Sequence, residues 1–152
     1  MEAKVMMGRH AESVMQFSVF TSNRVGRLHD LVRLLGSHQV HMLALTVLDA
    51  TDSAIVRFVL DDPEKGRMLL QDNAFPFAEC VVVAVEMDSA EDLNRLLTAL
   101  LAAEMNVNYL YCFIPHPREK TILALNVEDP EMAEETLKRH QFTVLKQSDI
   151  SR

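Results

Sequence analysis

Apolar residues recur at i, i+3, i+4 and i+7 through L-H-D-L-V-R-L-L, Leu28 to Leu35, the spacing that turns one side of a helix toward a core. A shift of 65 residues lays this run on L-N-R-L-L-T-A-L, Leu93 to Leu100, with the same spacing. The shift also pairs V-H-M-L-A-L (Val40 to Leu45) with M-N-V-N-Y-L (Met105 to Leu110), each the start of a strand. A shift of 67 pairs A-I-V-R-F-V-L-D-D-P-E (Ala54 to Glu64) with T-I-L-A-L-N-V-E-D-P-E (Thr121 to Glu131) and continues to Phe75 on Phe142. The hairpin loop between the two alignments is longer by two residues in the second copy.

The repeat fixes an order of elements. The first copy reads as strand Val14 to Phe20, helix Gly26 to Ser37, strand Val40 to Asp49, strand Ser53 to Leu60, helix Pro63 to Asp72 and strand Phe77 to Val81. The second reads as strand Val82 to Met87, helix Glu91 to Glu104, strand Met105 to Ile114, strand Lys120 to Val127, helix Pro130 to His140 and strand Phe142 to Lys146. Asp62-Pro63 and Asp129-Pro130 are helix starts, because an aspartate accepts an orphan backbone N–H as N-cap and proline is tolerated at the first helical position. The plan is βαββαβ twice: α+β, a ferredoxin-like sandwich in two tandem copies, each an antiparallel sheet covered by helices on one face. E-C-V-V-V-A-V-E-M, Glu79 to Met87, leaves no linker, so the last strand of the first copy runs directly into the first strand of the second, and the two sheets are expected to pack as a unit. The expected organisation is a flexible tail over residues 1 to 12, a first domain over 13 to 81 and a second over 82 to 148.

With 152 residues and 49 % hydrophobic composition the chain can bury a substantial core. A net charge of -7 and a pI near 5.3 argue against a nucleic-acid or anionic-membrane surface, since such partners need clustered Lys and Arg to displace counterions. Cys80 and Cys112 are too far apart for a C-x-x-C pair and read as reduced, buried thiols. No segment has the length of a membrane span or the apolar core of a leader peptide, so a cytoplasmic protein is expected.

N-R-V-G-R-L before a helix, an asparagine opening a strand, and D-D-P-E at a turn, in order and duplicated, resemble the ACT domain, a small βαββαβ module. The resemblance covers about 140 residues and is to free-standing tandem ACT proteins. It implies binding of an amino acid or similar small metabolite where two ACT units meet, no catalysis, no cofactor, a homodimer or higher homo-oligomer, and an enzyme or regulator as the kind of partner such modules serve. It also places Asn23, Arg24, Val25, Gly26, Arg27 and Leu28 in the family's ligand loop, with Val25 where many members have proline and Thr21 where some have histidine. Independently of the family, a helix N-terminus has unpaired N–H groups and partial positive charge that favour a carboxylate. Glycine lets a ligand approach bare backbone there, and an asparagine amide both donates and accepts.

The second copy reads D-S-A-E-D-L in this loop, with Asp88 and Glu91 at the positions of Asn23 and Gly26, so two acids should repel a carboxylate. By resemblance the family also uses an asparagine at the start of the second strand. The second copy has it, Asn106, with Asn108 following, whereas the first has His41. The expected pocket therefore joins the loop of the first copy to the Asn106 to Leu110 strand start of the second. A backbone role for Gly26 and a capping role for Asn23 are the competing readings.

Other candidates are weaker. His38 and His41 lack a third ligand nearby, so no metal is expected. His116 reads as an exposed loop imidazole. Asp61-Asp62-Glu64 and Glu128-Asp129-Glu131 recur at helix starts and read as caps. Tyr109, Tyr111 and Phe113 alternate on one strand face and read as core or dimer interface. No nucleophile motif is present. The alternative to ligand binding is an adaptor that self-associates or docks through its sheet edges.

Overall fold

The computed structural model describes residues 12–22, 26–115 and 119–151. Up to residue 11, the expected tail lies outside them, as does His116. The chain divides into two compact units, Met15–Cys80 and Val81–Ile150, residues 12–14 grouping with the second.

The N-terminal unit contains β1 (Val14–Ser22), α1 (Arg27–Ser37), β2 (Met42–Ala50), β3 (Ser53–Leu60), α2 (Pro63–Asp72) and the start of β4 (Phe77–Met87). Its strands lie in the order β2-β3-β1-β4. β1 pairs antiparallel with β3 from Gln16 opposite Val59 to Ser22 opposite Ser53, and β3 pairs antiparallel with β2. Phe17, Val19, Val56, Phe58 and Leu60 project from the sheet into a core closed by Leu31 and Leu35 of α1 and Leu69 and Leu70 of α2. Phe17 stacks on Phe58 at 5.7 Å. Arg67 of α2 is bidentate on Glu79 of β4, donating from Nη2 to Oε1 at 2.6 Å and from Nε to Oε2 at 3.1 Å.

The C-terminal unit repeats the plan with the rest of β4, α3 (Glu91–Ala102), β5 (Val107–Cys112), β6 (Thr121–Val127), α4 (Pro130–Arg139) and β7 (Val144–Leu145), in the strand order β7-β4-β6-β5. Val83, Val85, Leu123 and Leu125 form its sheet side of the core, closed by Leu96, Leu100, Ala133 and Leu137 from the helices. The chain is thus two tandem ferredoxin-like βαββαβ copies, as the periodicity predicts. Its last strand is shorter than the expected Phe142 to Lys146, and a one-turn helix, α5 (Gln147–Ile150), follows it. The Lys146 N–H donates to the Asp149 carboxylate at 2.8 Å and closes this turn, while Ile150 is buried.

Two of the four repeat helices start on an aspartate cap, and all four stop by local chemistry. Asp62 accepts the Lys65 N–H and Asp129 the Met132 N–H, both at 3.1 Å. Gln39, Ala74, Glu104 and Gln141 follow the four helices in the left-handed conformation, with φ of 62, 56, 56 and 69°. In each case the next residue, Val40, Phe75, Met105 or Phe142, donates its N–H to a carbonyl five residues back and buries its side chain. This is the Schellman ending with its hydrophobic contact, built without glycine.

Gly66 and Ala133 occupy equivalent helix positions. A Cβ on Gly66 would collide with Cδ1 of Leu60, whereas Ala133 sits in a core where Val127 replaces that leucine. The pairs Leu60/Gly66 and Val127/Ala133 divide the volume differently. Gly66→Ala is therefore expected to lose about 1–3 kcal/mol to overpacking, and Leu60→Val in the same chain to recover part of it, read by chemical denaturation.

Glu134 on α4 is half-buried, and burial pushes its carboxyl above the usual range against the pull of Lys138. An acid whose folded pKa is raised costs nothing when both states are protonated, and destabilises as pH rises from the unfolded value, about 4.3, through the folded one. Glu134→Gln should accordingly raise Tm at pH 7 and leave it unchanged below about pH 4.

Candidate functional site

Gly26 stands immediately before α1 at φ 93°, the left-handed region, and no side chain among the described residues caps the helix there. No described atom lies within 4 Å of where a Cβ would project. The glycine therefore suits a conformation that side chains rarely adopt, and the space its missing Cβ would take is open among the described residues. Its carbonyl accepts the Asp30 N–H at 2.8 Å. Arg27 lays its guanidinium 4.7 Å from the centroid of the Phe75 ring, donates from Nε to Thr21 Oγ1 at 3.4 Å, and stands 3.9 Å from Asp30. Leu28 is 38 % exposed. Asn23, Arg24 and Val25 lie outside the described residues.

The corresponding loop of the C-terminal unit is built differently. Ala90 precedes α3 in right-handed conformation. Asp92 turns back, and its Oδ2 accepts the Asp88 N–H at 2.8 Å. That bond, with further help from Arg95 and the Ser89 backbone, holds the Asp92 carboxyl below the usual carboxylate range. The Asp88 carboxylate is met by Lys120 at 3.0 Å. Asp92, which the sequence reading passed over, is thus the acid that faces the loop backbone. A carboxylate within one helical turn of uncapped N–H groups was the available signal.

Asn106 precedes β5, is exposed, and accepts the Glu128 N–H on its carbonyl at 3.2 Å. Its side chain makes no hydrogen bond among the described residues. Asn108 instead donates its amide to Asn126 Oδ1 at 2.8 Å, beside the irregularity between Val107 and Tyr109. In the N-terminal unit the matching residue, His41, is tied to Asp61: its N–H donates to Oδ1 at 2.8 Å and its Nδ1 to Oδ2 at 2.7 Å. The Asp61 N–H returns a bond to the His41 carbonyl at 3.1 Å. Asp61 is therefore a buried clamp on an imidazole and not a helix cap, which is the role of Asp62 alone.

Among the described residues no group of three or more His, Cys, Asp and Glu side chains could hold a metal ion. His38 bonds the Leu34 carbonyl at 3.0 Å. Tyr111 and Phe113 are buried and Tyr109 is half-buried. Neither Cys80 nor Cys112 is in a disulfide, but, contrary to the expectation of buried thiols, Cys80 is half-buried and Cys112 exposed. Cys112 stands opposite the core residue Leu123 and so shares the helix-side face of the sheet, but β5 is an edge strand and leaves it exposed there. A cleft of about 480 Å³ in the C-terminal unit is lined by Glu12, Glu131, Glu134, Glu135, Lys138 and Lys146. It repeats no feature of the α1 turn. No helix among the described residues is long and apolar enough to cross a membrane.

The fold and the duplicated turn can be compared with known proteins. The chain resembles protein BT0572 from Bacteroides thetaiotaomicron with a TM-score of 0.85 and 25 % identity, over 93 % of this chain and 98 % of that one. The regulatory subunit of aspartate kinase from Thermus thermophilus, in a ligand-free form, matches with a TM-score of 0.58 and 10 % identity over 84 % and 91 % of the two chains. The same subunit from Thermus flavus gives 0.55 and 11 % over 84 % and 92 %. These last two likenesses are of fold. No curated protein matches the chain. A family model for the ACT domain pair matches residues 12–152, a span that includes every residue the structure describes. With two βαββαβ copies in that span, the chain belongs to the ACT domain pair family, whose members are regulatory modules.

Proposed function

We propose that this protein is a non-catalytic regulatory module that binds an amino acid or a similar small metabolite, and that the turn before α1 receives the ligand's carboxylate. The observation that carries the reading is Gly26, left-handed at φ 93°, with no described atom within 4 Å of where a Cβ would project and no described side chain capping the helix. Unpaired helix N–H groups and the helix dipole stabilise an anion at such a place. Asn23, Arg24 and Val25 complete the loop in sequence, Arg27 adds a cation, and Leu28 offers an exposed apolar contact. Of the two strand asparagines, Asn106 is the ligand contact, since the Asn108 amide nitrogen is committed to Asn126. A ligand that binds two arrangements of the chain unequally would shift their populations, and any enzyme or regulator bound to one of them would respond.

A second reading rests on β2, an edge strand with Val47 and Leu48 exposed. Such an edge can extend a sheet into another copy of the chain without any ligand.

A thermal-shift screen of the twenty amino acids separates the two. One amino acid at a hundredfold excess over its Kd should stabilise the parent by about 2.7 kcal/mol, or roughly 5–10 °C. Gly26→Glu should abolish the shift and Asn106→Ala should weaken it. A flat screen of folded protein, with sedimentation that depends on concentration alone, would replace the sensor by the adaptor.

A further inference from the structure

The leading helix of each copy carries an apolar stripe beside the one it buries. Leu28, Val32 and Gly36 of α1 stand at i, i+4 and i+8, and Leu93, Leu97 and Leu101 of α3 stand 65 residues later. Such spacing puts each set on one side of its helix. Leu28, Val32, Leu97 and Leu101 are exposed, Leu101 at 76 %, the highest among the large hydrophobic side chains of the described residues. At that last position the other copy has no side chain at all. Nothing among the described residues requires the glycine there. Gly36 lies inside α1, where glycine weakens a helix relative to a residue with a side chain. No described atom lies within 4 Å of where its Cβ would project, and the left-handed place that ends α1 belongs to Gln39. Gly36 is thus an exposed notch in the stripe of α1, and Leu101 is a knob on that of α3.

The two stripes also differ in charge. α1 and its ending carry Arg27, Arg33 and Asp30, whereas α3 and its ending carry Glu91, Asp92, Glu104 and Arg95. α1 is net positive and α3 net negative, so like helices of two molecules repel and unlike ones attract. We propose that a second copy of this chain docks on α1 with its α3, Leu101 of one copy entering the notch at Gly36 of the other. The missing side chain lets the two helices approach closely, and the contact takes Leu101 out of water. It joins unlike surfaces, so a two-fold dimer makes it twice. It does not depend on ligand binding at the turn before α1, and it uses neither β2 nor any other strand edge.

The test is sedimentation equilibrium of the full chain over a range of concentrations, in which the parent associates reversibly. Leu101→Asp and Gly36→Gln, both at exposed positions, should each raise the dissociation constant about tenfold or more. Glutamine fills the notch, favours helix and adds no apolar surface. Gly36→Gln should therefore melt above the parent at concentrations where both are monomeric, which separates a lost partner from a damaged fold. An equal mixture of the two variants should associate more tightly than either alone, because Leu101 of Gly36→Gln meets Gly36 of Leu101→Asp. Should Leu101→Asp fail to fold, Leu101→Ala replaces it with a smaller loss in the same direction. A parent that is monomeric at every concentration would overturn the proposal. So would association that either variant leaves unchanged, which would belong to another surface such as the β2 edge, or a loss in both variants that mixing does not relieve.

Discussion

Everything in either copy depends on how a helix gives way to the next strand. After each of the four repeat helices one residue turns left-handed, and the residue after it bonds back to the helix while burying its side chain. That ending satisfies carbonyls that would otherwise be orphaned, and it pins the height at which the chain re-enters the sheet. Val40 and Met105 then lead into β2 and β5, and Phe75 and Phe142 into β4 and β7. Phe75 and Phe142 are also the rings on which Arg27 and Arg95 lie. The ending of the second helix of each copy thus positions the start of the first.

Duplication kept this frame and let the contents drift in compensating ways. Leucine over glycine in one core corresponds to valine and alanine in the other, because a close-packed interior conserves volume more strictly than it conserves residues. The same holds for charge. Arginine and aspartate exchange places along one turn of helix, an exchange that leaves an ion pair and a covered ring in each copy but reverses the field at the loop. A helix start accommodates an anion well and a cation poorly, so the two loops are no longer chemically equivalent. A strand-opening imidazole clamped by a buried carboxylate faces, at the matching position, an asparagine whose side chain stays exposed.

The sequence by itself determined the two copies, their element order and, to within two residues, their boundaries. Alternation and helical spacing are local properties, and Asp-Pro at both second helices is a local signal for a start. It also singled out Gly26, since a lone glycine between a strand and a helix has few explanations. Tertiary structure decided what depends on partners distant in sequence: that Asp61 grips His41 across two strands, that Asn108 is spent on Asn126, that Cys112 is exposed at a sheet edge, and that the last strand yields to a turn held by Asp149. It decided Asp92 as well. From the sequence the acids of that loop were a repulsive cluster. Only the folded turn brings one of them back onto the backbone, because a hydrogen bond needs a direction and composition has none.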